Sequence, residues 1–371
     1  MNKIIFFIIC ALFIHVSISA QTPANDPHWQ LVWEDNFNGT SVNTGTWSYF
    51  APWGNCNCQA HQTNGANHEF SNGIIKLVSK KENSVCWECD HGPDPETRPN
   101  PIPIGGGLHT HALSYTTGAL CSKEAFKYGY FEIRCKLPEL SNTQYTGKGF
   151  SPGFWMTPYW TNCYGGYVKY SEIDFFEIDA TNNLHTCNAH YSDIDHPGTP
   201  GHPYWSIRTN AVYDFTVNFN DFHKFSGEWS SKYINFYFDD QLFRSTSTEY
   251  VSQLIPMNII MGIATPADNF TTEFVSNTLF PYKFEIDYLK IYHLKCGDKN
   301  IVVNEINFNS YNYTVKKSIT MSGATTIPKN KSIFLRATDF IELKSGFEVP
   351  LGTNLFLAAT PCDNCIIQPK Q

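Results

Sequence analysis

Charge is scarce in this chain. Only 16% of its residues are Asp, Glu, Lys or Arg, against about 25% in an average globular protein. The few charges are unbalanced: 26 basic residues face 34 acidic ones, a net charge of −8. That balance argues against nucleic acid and anionic membrane surfaces as partners. It also disfavours a strongly sulfated or carboxylated substrate. Long amphipathic helical periodicity is missing, which removes helical bundles from consideration. The apolar run near the N-terminus is shorter than the ~20 residues a span needs and no other stretch could cross a bilayer, so no membrane insertion is expected.

What the chain has in quantity is aromatic surface. Phe, Tyr and Trp make up 15% of it, with 28 Phe, 20 Tyr and 9 Trp. Such residues fit a pleated, half-buried sheet, and those left exposed suit stacking on sugar rings. The N-terminus carries Lys3, an apolar run from Ile4 to Ile14, and Ser17-Ile18-Ser19-Ala20. This order reads as a secretory signal peptide over residues 1–20. Its removal would leave 25 basic against 34 acidic residues, a net of −9, and place the protein outside the cytoplasm, secreted or at the cell surface.

Twelve cysteines are present, and Cys10 would leave with the signal. In an oxidising compartment the rest are first read as disulfides, with at least one unpaired. Cys56-x-Cys58 and Cys86-x-x-Cys89 also have the makings of a tetrathiolate zinc site.

Short strands punctuated by turns dominate. Ile74–Val78 follows Asn72-Gly73. From Tyr128 to Leu137, Phe131, Ile133 and Cys135 alternate with Glu132, Arg134 and Lys136. Tyr233–Phe238 leads into Asp239-Asp240, a hairpin turn, and Phe284–Tyr292 alternates again. This pattern predicts an all-β sandwich or barrel. Residues 86–107, rich in Pro and Gly, read as a long surface loop. After Cys296 four short strand patterns (Ser318, Ile333, Phe340 and Leu355 among them) predict a small second β domain. The expected organisation is therefore 1–20 signal, 21–295 main domain and 296–371 accessory domain.

Chemistry concentrates in Tyr170-Ser-Glu172-Ile-Asp174-Phe-Phe-Glu177-Ile-Asp179. The segment is apolar enough for a buried strand, yet Glu172 to Glu177 holds three acids. Burying carboxylates costs roughly several kcal/mol each unless they are paired or protonated. In a regular strand Glu172 and Asp174 share a face and Glu177 points away. One extra residue, a β-bulge at Phe175-Phe176, would return Glu177 to that face. Two carboxyls so placed are what a retaining glycosidase needs, one as nucleophile and one as acid/base. A solvated edge strand is the competing reading, but it would expose Ile173, Phe175, Phe176 and Ile178.

Glu-Ile-Asp-Phe-Phe-Glu resembles the E-x-D-x-x-E signature of glycoside hydrolase family 16. Flanking segments resemble the family in order: Phe126–Pro138, Gly153-Phe-Trp155-Met, His190-Tyr191, Phe222–Trp229 and Ile286-Asp287-Tyr288. The resemblance covers residues 28–295. It implies a jelly-roll sandwich with an open cleft for a β-glycan, and endo-hydrolysis with retention. It implies Glu172 as nucleophile, Glu177 as acid/base and Asp174 between them. Glu132 and Arg134 match positions that bind sugar hydroxyls, and Trp155 and Trp229 match stacking positions. Tyr170 stands where the family often has Trp, and His190 is a further substrate contact. No cofactor is implied for catalysis. A structural Ca²⁺ is implied, with Glu34 and Asp287 as its acidic ligands. The tail resembles the three-coathanger stack, a short β-stack module. The expected substrate is a polysaccharide, a β-1,3- or mixed β-1,3/1,4-glucan such as laminarin. A red-algal galactan (agar, porphyran or carrageenan) is the alternative, and a non-catalytic glycan-binding protein a second.

Overall fold

The structure is a computed structural model, and it describes residues 22–49, 60–61, 65–89, 108–137, 151–158, 170–179, 184–192, 204–207, 221–247, 249–264, 280–303, 311–321, 326–363 and 366–368. Residues 1–20, expected to be a signal peptide, Cys56, Cys58 and residues 90–107 lie outside them. Among the described residues no helix is long and apolar enough to cross a membrane.

Two large sheets face each other. The ten-stranded sheet runs Gln241–Thr246, Ile234–Phe238, His223–Trp229, Gly129–Lys136, Tyr282–Leu294, Ile74–Cys89, Leu108–Thr117 and Ala60–His61, with Trp29–Asp35 and His68–Ser71 pairing from the side. The eight-stranded sheet runs Tyr204–Ile207, Leu184–Ser192, Tyr170–Asp179, Ser151–Thr157, Met257–Ala264, Ala119–Lys127 and Trp47–Ser48, with Ile366–Gln368 added on Ala119–Lys127. Alternation explains the sandwich. Phe131, Ile133 and Cys135 from one sheet meet Phe154, Met156, Ile173, Phe175 and Phe176 from the other in a single core. The expected all-β jelly-roll sandwich is the observed fold.

Turn chemistry follows the sequence closely. Asp239 and Asp240 both take positive φ, 45° and 64°, the left-handed pair that a two-residue hairpin requires. Asn72 and Gly73, at φ 54° and 74°, close the hairpin between His68–Ser71 and Ile74–Cys89 in the same way. One expectation changes here. The segment Cys86–Cys89 is not loop, because the strand begun at Ile74 continues to Cys89 and pairs with Leu108–Thr117.

The tail is a four-stranded sheet of Asn300–Val303, Lys316–Met321, Ser332–Leu343 and Asn354–Ala359, in sequence order and all parallel. Two expected strands, at Ser332 and at Phe340, are one continuous strand. Ile319, Met321, Ile327, Ile333, Leu335 and Ala337 form its own small core.

This tail is fastened to the sandwich at several points. A disulfide joins Cys296 to Cys362. Val315 packs with Trp29, Tyr130, Tyr237 and Leu294 on the outer face of the ten-stranded sheet. Arg336, 3% exposed, binds Asp26 (Nε to Oδ2, 2.6 Å) and Thr360 (3.1 Å), and stands 5.5 Å from the Trp29 ring. Ile366–Gln368 then crosses back to pair with Lys127, Phe126 and Ala125 of the eight-stranded sheet.

Candidate active site

The strand Tyr170–Asp179 lies inside the eight-stranded sheet, between Leu184–Ser192 and Ser151–Thr157. Ile173, Phe175 and Phe176 are at most 1% exposed. Two adjacent phenylalanines cannot both face inward in a regular strand. The pairing shows how they do so. Asp174 lies opposite Asn188 but Glu177 lies opposite Thr186, and a second register shift falls between Asp174 and Phe176 on the other side. Three steps against two is a β-bulge, located where the apolar pattern demands it.

Packing holds the bulge in place. The Phe175 ring lies 5.5 Å from Phe131 and 4.8 Å from Phe154, and Phe176 lies 4.3 Å from Phe225. Gly227, on the facing sheet, leaves the space for Phe175. A Cβ there would come within 2.2 Å of the ring. With both phenylalanines inside, Glu172, Asp174 and Glu177 share the outer face.

Neighbouring strands add side chains to that face. His190 lies opposite Glu172. Its Nε2 is 3.3 Å from Asp174 Oδ2 and 4.0 Å from Glu172 Oε1. Asn188 donates from Nδ2 to Glu177 Oε2 at 3.2 Å. Burial, and then the nearby charge of Glu177, push the Asp174 carboxyl well above its ordinary range, against hydrogen bonds with Glu172 and Asn188. Asp174 is 1% exposed, while the Glu172 side chain keeps 20%. The centre therefore has a dry floor and a wet rim.

Trp155 lies opposite Asp174, between the buried Phe154 and Met156, and so stands on the same outer face. Two glycines flank its ring. A Cβ at Gly153 would sit 3.2 Å from it and one at Gly262 3.8 Å away. Side chains there would lift the indole off the sheet. Tyr170 is in the same strand, with its backbone opposite Ser192.

Three expected substrate contacts lie elsewhere. Glu132 and Arg134 project from the outer face of the ten-stranded sheet, because Phe131, Ile133 and Cys135 take the inward positions. The whole core separates them from Glu172. Glu132 accepts a hydrogen bond from Tyr288 (2.9 Å), and burial raises its carboxyl above the ordinary range. Arg134 pairs with Asp287 and covers the Phe222 ring at 4.8 Å. Trp229 is 1% exposed and packs edge-on against Tyr128 at 5.2 Å. It is a core residue, because Phe225, Gly227 and Trp229 form the inward set of their strand.

Among the described residues, the expected calcium ligands Glu34 and Asp287 are not part of a converging group of three metal-ligating side chains. Asp287 is held by a guanidinium, a cation that competes for the same carboxylate. Glu34 lines a cavity of about 360 Å³ with Trp33, Asp35, Phe37 and Trp47. Among the described residues one group of three metal-ligating side chains converges, Glu172, Asp174 and His190.

Asn188 was not anticipated from sequence. Its signal is period two: it stands two residues before His190 on the same strand, and the bulge delivers Glu177 to it.

A β-sandwich carrying three strand-borne carboxylates, a histidine and an indole on one outer face has the groups a glycoside hydrolase needs. Residues 59–290 match the model for Glycosyl hydrolases family 16. The chain belongs to that family and is a glycoside hydrolase. It is 27% identical over 228 residues to a glucan endo-1,3-beta-glucosidase of Cryptopygus antarcticus, spanning 60% of this chain and 70% of that one. A beta-glucanase of Rhodothermus marinus is 24% identical, over 72% of this chain and 86% of the relative. The solved kappa-carrageenase of Pseudoalteromonas carrageenovora, in complex with an oligotetrasaccharide, superposes with a TM-score of 0.52 at 21% identity. That match covers 73% of this chain and 98% of the other, and it supports the fold.

Proposed function

We propose that the protein is an exported endo-hydrolase of β-1,3- or mixed β-1,3/1,4-glucan, working with retention through Glu172 and Glu177. The observation that carries this is the bulge, which sets both carboxyls and Asp174 on one open face. Glu172, partly exposed at the rim, attacks C1 of the sugar. Glu177 protonates the departing oxygen, leaving a glycosyl-enzyme on Glu172. Glu177, now a carboxylate, takes a proton from water as the water attacks C1 and releases Glu172. Asn188 fixes the Glu177 carboxyl, and Asp174 shares a hydrogen bond with Glu172. Trp155, flat against Gly153 and Gly262, offers an indole face to a sugar ring.

The glucan reading draws on the names of the two curated relatives. A galactan is the second reading, favoured by a kappa-carrageenase relative that is 25% identical over 321 residues and opposed by the net charge of −8. Residues 1–20 would direct export, and the tail, with its in-sequence parallel strands, would be a module of the three-coathanger kind. The deciding experiment is reducing-end release on laminarin, lichenan, agar, porphyran and carrageenan. Laminarin or lichenan should be cut to oligosaccharides, and Glu172→Gln and Glu177→Gln should each abolish turnover with the melting temperature kept. Near-native activity in either variant refutes the assignment. A wild-type chain that binds glycan but releases no product would make it a binding protein. Products longer than the substrate would make it a transglycosylase.

A further inference from the structure

We propose that Glu172, Asp174 and His190 form a binding site for a divalent transition-metal ion, Zn²⁺ above all, whose occupancy closes the active site. The site itself rests on geometry, and its inhibitory effect rests on the function proposed above. Two carboxylates and one imidazole offer one ligand atom each, all within 4.8 Å of one another. Ligands about 2.0–2.1 Å from a tetrahedral zinc ion lie about 3.4 Å apart. The Nε2 to Asp174 Oδ2 distance of 3.3 Å already matches, and the 4.0 Å to Glu172 Oε1 closes with a small side-chain shift.

A second observation points to a ligand. Asp174 is 1% exposed, and its Oδ2, the atom that faces His190, accepts no hydrogen bond. A buried carboxylate oxygen without a donor is costly, and a cation in front of it would remove that cost. The three residues sit on paired strands rather than loops, with Glu172 directly opposite His190. Little ordering is therefore needed on binding. Glu172 and His190 keep 20% and 11% of their side-chain surface, so the ion has a path in from the open face and a fourth position for water. Imidazole selects zinc and its transition-metal neighbours over Ca²⁺ or Mg²⁺, which take oxygen ligands. A metal held here occupies the lone pairs with which Glu172 would attack the sugar.

The test uses the full chain and Co²⁺ as a spectroscopic stand-in for Zn²⁺. One equivalent should bind, giving visible d–d bands without the thiolate charge-transfer bands that cysteine ligation produces. Zn²⁺ should displace it. His190→Ala and the volume-conserving Glu172→Gln should each weaken binding about tenfold or more, a loss typical of disturbed metal sites, while the melting temperature without metal stays put. On a glycan that the wild type cleaves, Zn²⁺ should raise the apparent KM and leave kcat unchanged. No binding up to millimolar metal overturns the proposal, as does binding equal in wild type and both variants, or a spectrum dominated by thiolate bands. The metal titration decides the site even if no glycan is hydrolysed.

Discussion

Replacing Arg336 with Met should destabilise the sandwich and not merely the tail. Arg336 belongs to the tail, yet its guanidinium binds Asp26 in the segment that leads into the first strand of the ten-stranded sheet. The side chains are 3% and 0% exposed. Burial alone would raise the Asp26 carboxyl, but the His28 hydrogen bond and the Arg336 and His28 charges outweigh it and hold the group below its ordinary range. Glu228, 4% exposed, also feels Arg336, and takes hydrogen bonds from Tyr233 (2.8 Å) and Tyr237 (3.0 Å). Met keeps most of the aliphatic contact with Trp29 and removes the charge. Two buried carboxylates are then left without their cation. Breaking a buried pair from one side costs about 3–5 kcal/mol. Met returns about 1 kcal/mol of apolar burial, so about 2–4 kcal/mol is lost. At about 2–4 °C per kcal/mol for a large domain, the melting temperature should fall by roughly 4–16 °C. Calorimetry should show the loss in the main transition, and the midpoint of thermal inactivation should fall with it. Adding Asp26→Asn should recover part of the loss, because it removes one stranded charge. A main transition and an inactivation midpoint that stay put, with only a small early transition moving, would refute the argument and make the tail an independent domain.

Acid should loosen the same joint. Burial lowers the His28 pKa below its ordinary 6.5, so the unfolded chain binds this proton first. Asp26, also lowered, acts in the same direction at lower pH. Asp26, Arg336, Lys316 and the Tyr311 and Tyr313 rings face His28. Stability should therefore be full above about pH 6.5, fall as pH drops through that value, and fall again below the ordinary Asp value of 3.8. Denaturant titrations from pH 7.5 to 3.5 check this, and a flat profile counts against it. Gly227→Ala should cost about 1–3 kcal/mol by overpacking and lower kcat as well, because Phe175 must give way at the bulge that aligns Glu177. Full activity in a folded Gly227→Ala protein would separate the bulge from catalysis. Trp155→Ala should raise KM on long glycans more than it lowers kcat, read from initial rates over a range of substrate concentrations.

The strand that carries Glu172, Asp174 and Glu177 was legible because its sequence breaks a rule. Period two cannot place Ile173, Phe175 and Phe176 inside together with Glu172, Asp174 and Glu177 outside, so an extra residue had to be there. Nothing comparable marks Glu132, Arg134 or Trp229. Their strands alternate cleanly, and alternation only sorts residues into two sets. A sandwich has two outer faces, one bearing the carboxylates and one not. Which outer face a polar set reaches depends on the sheet its strand joins. Gly129–Lys136 joins His223–Trp229 and Tyr282–Leu294 in the ten-stranded sheet, a non-local pairing that no local pattern encodes. Trp229 shows the same limit from the other side. An indole beside Glu228 fits a cleft as well as it fits a core, and the burial of Phe225 and Trp229, with Gly227 facing Phe175, shows which way the strand is turned.

The boundary at Cys296 shows how far composition carries. The strand patterns after it do form a separate sheet with a separate small core. Composition cannot see that this sheet contributes Val315 to the cluster around Tyr130, or Arg336 to Asp26, a contact 310 residues apart. Nor can it see that Ile366–Gln368 adds a strand to Ala119–Lys127. That last pairing ties the tail to the sheet that carries Glu172, while Asp26 and Tyr130 tie it to the sheet behind. A tail fixed to both sheets cannot swing freely as a tethered glycan-binding module. If these contacts help hold the two layers together, the Arg336→Met variant should loosen both.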